Sequence, residues 1–217
     1  MKLPAIRSEV MDKVQDPSYD KETVDRYINR ALAYTAGLID LPELKGFATV
    51  STVLGQAYAS LSGVEAGFSG VLRKVKDSDK DPVEIYPSLD LLFNDYDMDE
   101  EGDVEAVALE GSVLWYQKIP VAAETLTCLL FRNPLPLSET NPETTVIPEH
   151  LQHKLLVEGV AYFIYDEIED GIEEPKTNTT FYFAHSFSET SRESGITKLR
   201  EWVSKTRVNH ISSVWRY

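Results

Sequence analysis

The sequence predicts an α+β protein. N- and C-terminal helices form a bundle, a β-rich antiparallel insertion lies between them, and an extended C-terminal arm ends the chain. Apolar residues recur at three- and four-residue steps near both ends, which is the spacing of amphipathic helices. Short β-prone runs separated by Gly, Pro, Asp and Ser clusters fill the middle. With 217 residues, 42% of them apolar, the chain can form one globular domain with an insertion.

The first 46 residues contain two predicted helices. One covers residues 3–15, and Asp16-Pro17-Ser18 ends it because Pro disfavours helical geometry in the preceding residue. The second follows Asp20, a favourable N-cap residue, with Thr23 as another possible cap, and it runs to about Gly37. Both helices have an apolar face that must be covered, and we therefore assign residues 1–46 to the bundle.

Residues 47–146 form the predicted β-rich insertion, an antiparallel meander or small sandwich. Ser88 is expected to cap one short helix, with Leu89, Leu92 and Phe93 pointing inward. Glu110-Gly111 favours a hairpin turn. A stretch with four prolines, which begins at Pro134, is expected to be an extended connector. The β-prone runs are residues 47–53, 56–61, 68–76, 83–86, 104–109, 112–119 and 126–131.

The strongest helical pattern is residues 147–171, IPEHLQHKLLVEGVAYFIYDEIEDG. Pro148 suits the first turn, and Gly171 is the expected C-terminal stop. The predicted apolar stripe consists of Leu151, Leu155, Leu156, Gly159, Val160, Phe163, Ile164 and Ile168. This long helix is the main element of the C-terminal part of the bundle, which we assign to residues 147–205.

The end of this helix carries Asp166, Glu167, Glu169 and Asp170. Four carboxylates there have the wrong sign for the negative end of the helix dipole. Two interpretations remain open. The helix end is simply solvated, or its charge faces a partner or a channel.

After this helix, residues 172–180 are polar and predicted to be a loop, and Phe181, Tyr182 and Phe183 supply aromatic surface. Ser188 is expected to cap a last helix that carries Ile196, Leu199 and Val203 on its apolar face. The chain then ends in a predicted arm, residues 206–217.

The arm is aromatic and mildly basic. Between Arg192 and Tyr217, six Lys or Arg stand against two Glu, a net of +4, while the rest of the chain carries −19. Two alternatives remain for the arm: it folds back on its own domain, or it docks on another subunit. Docking is favoured by its aromatic and Arg residues, which dominate interface energetics, and by its positive charge, which complements the acidic remainder of the chain. The candidate docking residues are Arg207, Val208, Ile211, Val214, Trp215, Arg216 and Tyr217.

Charge and motifs exclude several function classes. A net charge of −15 disfavours a protein that grips duplex DNA, although an acidic surface can let DNA slide past without sticking. The sequence has no P-loop, no G-x-S-x-G and no G-x-G-x-x-G, and we predict no catalytic site and no cofactor. No apolar run approaches ~18 residues, and we therefore expect a soluble protein without a membrane span.

Three features could hold a metal or a nucleophile, and each favours a simpler interpretation. The string from Asp95 to Gly102 begins like a calcium loop, but it lacks the Gly and Glu expected at positions six and twelve, which favours a solvated acidic loop. His150 and His153 are three residues apart, yet no Cys cluster accompanies them, which favours polar-face histidines. The single Cys128 lies in an apolar run and is expected to pack as a buried hydrophobe.

The order of these segments resembles the head-to-tail adaptor (connector) proteins of tailed bacteriophages. The resemblance covers about residues 5 to 205, and each motif consists of packing and turn residues. It rests on ETVDRYINRALAYTAG, LPEL, VEIYPSLDLLFNDYD, GDVEAVALEGSVLWYQKIPVAAETLTCLLFRNPLPL, IPEHLQHKLLVEGVAYFIYDEIEDG and FAHSFSETSRESGITKLREWV. Residues from Thr206 onward lie outside it.

The resemblance implies a structural virion protein without enzymatic activity, located at the head–tail interface and assembled in the host cytoplasm. Such proteins form a dodecameric ring below the portal, extend the DNA channel and provide the attachment site for the tail. The implied partners are other copies of the chain, the portal protein, tail nozzle or tail-terminator proteins and tail fibres, with DNA passing through the lumen. Two acidic clusters, residues 95–103 and 166–174, are candidates for the lining of that channel. We favour the second, with Asp166, Glu167, Glu169 and Asp170, because its helix is long and regular enough to present a repeated charge around a ring.

A carboxylate-based hydrolase, such as a phage wall-degrading enzyme, is the alternative from another class. A β-rich insertion with many acidic residues could contain its site. That interpretation predicts one deep cleft and a carboxyl group with a raised pKa.

Overall fold

The computed structural model describes residues 1–61, 68–170 and 175–214, with the backbone alone described for residues 68–70 and 207–214. The chain divides into two compact units. The helical unit contains Met1–Glu43 and Pro134–Tyr217, and the β unit contains Leu44–Asn133. Helices from both ends of the chain thus form one unit, and the α+β prediction is confirmed.

The helices are described first, in chain order. They are α1 (Leu3–Val14), α2 (Lys21–Leu38), α3 (Leu89–Asp95), α4 (Glu149–Gln152), α5 (Gly159–Ile168), α6 (Thr177–Ser186) and α7 (Gly195–Val214). A short 3₁₀ turn covers Pro42–Leu44. A π-helical turn, His153–Glu158, joins α4 to α5, and we call the resulting continuous helix, residues 149–168, the central helix. In the described residues no helix is both long enough and apolar enough to span a membrane.

Helices α1 and α2 form where the sequence predicts them. Gln15, with a φ of 54°, ends α1 in the left-handed conformation. The Asp20 carboxylate accepts the N–H of Thr23 at 2.8 Å, which is the N-cap geometry expected for α2. The predicted apolar faces are buried except at Ala36, which is half-buried. The other members are at most 9% exposed, namely Ile6, Val10 and Val14 of α1 and Val24, Ile28, Ala31 and Leu32 of α2.

The central helix buries the predicted stripe except at its last member. Seven of the eight stripe residues are buried, whereas Ile168 is 37% exposed. Pro148 is the N-cap rather than the first helical residue. The helix ends at Ile168, and the predicted stop at Gly171 lies outside the described residues.

The proline-containing connector belongs to the helical unit, although the sequence analysis placed it in the β-rich insertion. Hydrogen bonds explain this assignment. The Asn29 side chain accepts the N–H of Leu137 at 2.6 Å and donates to its carbonyl at 3.0 Å. The N–H of Leu3 donates to the carbonyl of Pro142 at 2.7 Å. Since buried backbone groups need partners, these contacts tie the connector to α1 and α2.

Helix α6 corrects the prediction of a loop over residues 172–180 from Thr177 onward, whereas residues 175–176 are not helical and residues 172–174 lie outside the described residues. Its sequence, TNTTFYFAHS, is rich in β-branched and aromatic residues with modest helix propensity. Propensity alone therefore favoured a loop, and the helix depends on tertiary contacts described below.

Helix α7 differs from the prediction at both ends. Its N-terminal cap is Ser194, not Ser188, because the Ser194 hydroxyl accepts the N–H of Thr197 at 3.2 Å. The Ser188 hydroxyl accepts the N–H of Ser191 at 3.2 Å in the preceding turn. The backbone remains helical to Val214, and the predicted extended arm is wrong up to that residue. No Gly or Pro interrupts residues 196–214, so nothing local ends the helix at Thr206.

The strands of the β unit lie close to the predicted runs. The main sheet has the order β1-β9-β3-β4-β6-β7-β2, and β5 pairs with β8 separately. The strands are β1 (Lys45–Ser51), β2 (Tyr58–Ser60), β3 (Phe68–Lys76), β4 (Pro82–Tyr86), β5 (Glu101–Gly102), β6 (Ala106–Glu110), β7 (Val113–Tyr116), β8 (Ile119–Pro120) and β9 (Thr125–Arg132).

The prediction of a purely antiparallel insertion is wrong for two pairs. Strands β4 and β6 pair in parallel, and so do β5 and β8. The β4–β6 connection contains α3, a crossover that returns the chain in its original direction. The predicted hairpin is present between β6 and β7, with Gly111 at a φ of 61° and Glu110 opposite Val113.

The sheet has a buried inner face and a partly covered outer face. Val50, Val75, Leu126 and Cys128 belong to the inner core cluster. On the outer side, Leu92 of α3 packs with the alanines of β6. The Ser88 hydroxyl accepts the N–H of Leu91 at 3.3 Å and caps α3 as predicted.

The inward positions of α3 are only partly as predicted. Leu92 is fully buried and Leu89 is half-buried, whereas Phe93 is 68% exposed. A helix of two turns presents only a narrow stripe to the sheet, and Leu92 and Leu89 occupy it. The prediction that Phe93 points inward is therefore wrong.

Candidate functional site

The acidic end of the central helix is joined to the beginning of α6. The Glu169 carboxylate accepts the N–H of Asn178 at 3.1 Å, the N–H of Thr179 at 3.0 Å and the Thr179 hydroxyl at 2.7 Å. Partial burial acts to raise the pKa of Glu169, but these hydrogen bonds outweigh it and the pKa is lowered. A carboxylate with the wrong sign for the end of α5 therefore has the right sign for the start of α6.

The other three carboxylates of the cluster also have partners within the chain. Lys176 Nζ lies 3.5 Å from Asp166 and 3.3 Å from Asp170. Burial acts to lower the pKa of Lys176, and the hydrogen bonds and charges of the two aspartates overcome this effect and raise it. The Tyr27 hydroxyl donates to Glu167. The structure thus brings all four predicted residues together.

The cluster still presents charge to solvent. The Asp170 side chain is 82% exposed and that of Asp166 is 46% exposed, and Glu167 is also exposed. Lys176 supplies one positive charge against four carboxylates. The junction between α5 and α6 is therefore an acidic surface as well as a structural joint.

The predicted aromatic surface lies on α6. Phe181 is 51% exposed and Phe183 is 39% exposed. Tyr182 stacks on Tyr165 of the central helix, with ring centroids 5.5 Å apart and planes 8° apart. Phe183 also contacts Tyr162 of the central helix, with ring centroids 5.4 Å apart. Two aromatic rings of α6 therefore pack on the central helix, and Phe181 is the most exposed of the three.

Two histidines, His153 and His185, contact carboxylates. His153 Nε2 lies 3.3 Å from Glu9, and its Nδ1 lies 3.8 Å from Glu158. His185 Nδ1 lies 3.5 Å from the other oxygen of Glu158. Across the described part of the chain, no group of three or more His, Cys, Asp or Glu side chains is arranged to hold a metal ion.

The docking residues predicted in the arm fall partly within α7 and partly outside the described residues. Arg207, Val208, Ile211 and Val214 lie within α7, where the side chains are not described. Trp215, Arg216 and Tyr217 lie outside the described residues. The last buried side chain described in α7 is Val203, and the helix backbone continues eleven residues beyond it to Val214.

In the β unit, Cys128 is fully buried, and burial raises the pKa of its thiol to about 11. A thiol that stays protonated at neutral pH is a poor nucleophile. In the predicted acidic loop, the Asp97 carboxylate accepts the N–H of Asp99 at 3.2 Å and so closes a turn.

Glu124 meets one of the two expectations for a hydrolase, a carboxyl group with a raised pKa. Burial raises the pKa of Glu124, and nearby aspartates, Asp103 among them, raise it further. A cleft of about 360 Å³ in the same unit lies between β1 and β2, and its lining consists of Thr49, Val50, Ser51, Val53, Gln56, Tyr58, Ala59 and Ser60. This lining contains no carboxylate, so the cleft and the raised pKa are not combined in one site.

The chain matches one protein family over nearly its whole length. The family model described as SU10 adaptor protein matches residues 1–206, which include all of the β unit and most of the helical unit. No curated protein matches the chain. The match agrees with the resemblance derived from the order of its helices and strands, and the chain belongs to the SU10 adaptor protein family of bacteriophage structural proteins.

Proposed function

We propose that this protein is a head-to-tail adaptor that forms a ring below the portal, extends the DNA channel and provides the attachment site for the tail. The observation that carries the proposal is the family match over residues 1–206. The protein is a structural component of the virion at the head–tail interface, assembled in the host cytoplasm, and it has no catalytic role. Its partners are neighbouring copies, the portal protein, tail nozzle or tail-terminator proteins and tail fibres.

The ring is dodecameric and forms on the portal, which acts as its template. The test is native mass measurement of the purified protein alone and mixed with purified portal rings. We expect a monomer alone and twelve copies on each portal ring. A protein that stays monomeric in the presence of the portal would contradict the adaptor function.

The arm that docks on the portal begins at Thr206. Support comes from α7, whose backbone continues to Val214 and so makes the first part of the arm helical. The sequence of the arm combines the apolar, aromatic and Arg residues that dominate interfaces, namely Arg207, Val208, Ile211, Val214, Trp215, Arg216 and Tyr217.

Truncation after Lys205 tests this docking arm. We expect the truncated protein to keep the melting temperature and the circular dichroism of a folded monomer but to lose portal binding. Leu135→Ser is the control, because it changes an apolar side chain that is 76% exposed elsewhere on the helical unit. Normal affinity of the truncated protein for portal rings would show that the arm has another role.

The acidic junction, Asp166, Glu167, Glu169 and Asp170, lines the DNA channel. Its exposed carboxylates support this role, because a negative wall repels DNA and keeps it from sticking. Since Glu169 caps α6, the informative variant neutralises the other three as Asp166→Asn, Glu167→Gln and Asp170→Asn. We expect normal ring assembly but slower packaging or ejection of DNA.

The control neutralises three other carboxylates that also have partners within the chain, in this case a Lys or Arg each, as Glu189→Gln, Glu193→Gln and Glu201→Gln. It changes the net charge equally and should leave the rate of DNA transfer unchanged. Equal rates of DNA transfer for wild type and both variants would show that the acidic junction does not line the channel.

A further inference from the structure

One face of the β unit combines cationic and apolar side chains. Strand register places Phe47 of β1 beside Leu129 of β9, and Leu129 beside Lys74 of β3. Two residues further along the same pair of strands, Thr127 of β9 lies beside Lys76 of β3. Alternate residues of a strand point to the same side, and the inner positions between these residues are buried. The named side chains therefore share the outer face of β1, β9 and β3.

Lys45, two residues before Phe47 in β1, lies on the same face. We call Lys45, Phe47, Lys74, Lys76 and Leu129 the basic face. The three lysines are exposed, and they form no ion pair with any residue that the structure describes. Phe47 is 73% exposed. A cluster of unpaired cations around an exposed aromatic ring is unusual in a chain of net charge −15.

A second surface of the same unit has the opposite charge. Residues 95–105, which run from the end of α3 into the start of β6, contain no Lys or Arg. All of their carboxylates are exposed, and Lys118 pairs with only one of them, Glu100, at 3.1 Å. We call this stretch the acidic segment, and its members are Asp95, Asp97, Asp99, Glu100, Glu101, Asp103 and Glu105.

The two surfaces occupy different strands of the sheet. The basic face lies on β1, β9 and β3, whereas the acidic segment leads into β6, which follows β4 in the strand order. One copy can therefore use both surfaces at once. Two complementary patches at different places on one chain give a head-to-tail contact, and such contacts close into rings when the rotation between copies permits.

We propose that the basic face of one copy docks on the acidic segment of the next copy, and that this contact repeats around the ring. The inference rests on the proposed adaptor function and deepens it by naming the contact between neighbouring subunits. Phe47 and Leu129 form the apolar centre of the contact, the part of an interface that is depleted of charge and rich in aromatic residues. The lysines around them provide complementary charge and orientation.

A second copy fits the basic face better than DNA does. Lys76 is followed by Asp77, Asp79 and Asp81, so the lysines adjoin carboxylates that repel phosphate. Backbone binding of nucleic acid depends on many clustered cations, and the chain as a whole is strongly acidic. Carboxylates from a neighbouring copy are in contrast abundant and already exposed.

Two charge-reversed variants test the contact. The face variant is Lys45→Glu with Lys74→Glu and Lys76→Glu, and the segment variant is Asp99→Lys with Glu101→Lys and Asp103→Lys. In each variant alone, like charges meet across the contact, and we expect rings on the portal to be lost or to form roughly tenfold less well at low salt. When the two variants are mixed, opposite charges meet again at every contact, and rings should return with the two variants alternating.

Two controls accompany the variants. Changing the same three lysines to Arg keeps the charge and should keep assembly. Phe47→Ser should weaken assembly, whereas Leu135→Ser, at an apolar side chain of similar exposure, should not. Because all of these positions are exposed, unchanged melting temperatures should show that each variant folds.

The outcomes separate this inference from the adaptor function. If wild type forms no ring on the portal, the adaptor function itself fails. If wild type forms rings and the face variant forms them equally well, this contact is wrong and the adaptor function stands. If both variants lose assembly and their mixture does not regain it, the basic face does not meet the acidic segment. A short DNA duplex that binds wild type but not the face variant would assign the basic face to DNA instead.

Discussion

The carboxylate of Glu169 holds Thr179 through two hydrogen bonds, one from its N–H at 3.0 Å and one from its hydroxyl at 2.7 Å. This pair connects the last turn of the central helix to the first turn of α6. Because α6 has modest intrinsic helix propensity, this tertiary cap contributes to whether the helix forms at all.

Replacement of Glu169 by Gln should therefore destabilise the helical unit by about 1 kcal/mol, which is a typical value for the loss of a helix cap. Urea unfolding at pH 7 measures the change. Asp170→Asn is the control, because its ion pair with Lys176 is exposed to solvent and should contribute little to stability. Equal effects of the two substitutions would contradict a capping role for Glu169.

The effect of Glu169→Gln should also depend on pH. The pKa of Glu169 is lowered in the folded state, so its stabilising contribution is present above the unfolded-state value of about 4.3. It is lost as the pH falls through the lower folded-state pKa. The difference in stability between wild type and Glu169→Gln should thus be smaller at pH 4 than at pH 7. A difference that grows on acidification would contradict this sign.

Gly159→Ala should destabilise the helical unit. A Cβ at this position would lie 2.7 Å from Cζ of Phe187, and overpacking of this kind costs about 1–3 kcal/mol. Phe187→Leu should partly relieve the clash in the double variant. Gly37→Ala is the matched control in α2, where a Cβ meets no atom within 4 Å, and it should stabilise by about 0.5–1 kcal/mol. Thermal or urea unfolding of Gly159→Ala, Phe187→Leu, the double variant and Gly37→Ala measures the loss and the gain of stability.

Tyr116→Phe should leave the stability of the β unit unchanged or raise it slightly. The Tyr116 hydroxyl is buried and has no hydrogen-bond partner among the residues that the structure describes, and burial raises its pKa. Removing a buried unpartnered hydroxyl removes a desolvation penalty of about 1–3 kcal/mol. Tyr27→Phe is the control, because its hydroxyl donates to Glu167 and its loss should destabilise by about 1 kcal/mol. A strong loss of stability in Tyr116→Phe would reveal a partner for its hydroxyl.

Cys128 should resist thiol reagents in the folded protein. It is fully buried, and its pKa of about 11 leaves little thiolate at pH 8. Because the folded-state pKa is raised, the neutral thiol's contribution to stability is full below the unfolded value of about 8.5 and is lost as the pH rises toward 11. Reaction with a disulfide reagent should be slow until denaturant is added. Rapid labelling at pH 8 without denaturant would contradict this burial.

Regular apolar spacing made the long helices predictable. The stripes of α1, α2 and the central helix need only one partner surface, and their periodicity is visible in the sequence. Strand β3 also matches its predicted run, residues 68–76. In contrast, α6 depends on Glu169, a residue ten positions from Thr179, and no local pattern identifies that contact.

The basic face shows why a surface is harder to predict than an element. Lys45 and Lys74 are far apart in the sequence and come to share one face only through the pairing of both strands with β9. Register between distant strands depends on the whole sheet. The acidic residues at the end of the central helix were in contrast visible in the sequence, but their hydrogen-bond partners were not.

The helical unit is discontinuous in the chain, since α1 and α2 precede the β unit and the central helix follows it. During synthesis, α1 and α2 leave the ribosome about a hundred residues before the helix that covers their apolar faces, which takes roughly 5–20 seconds at bacterial elongation rates. The β unit is contiguous and is complete before the central helix has been translated. A nascent chain therefore exposes two amphipathic helices for seconds, and chaperones that bind apolar segments should act on this protein mainly in that interval.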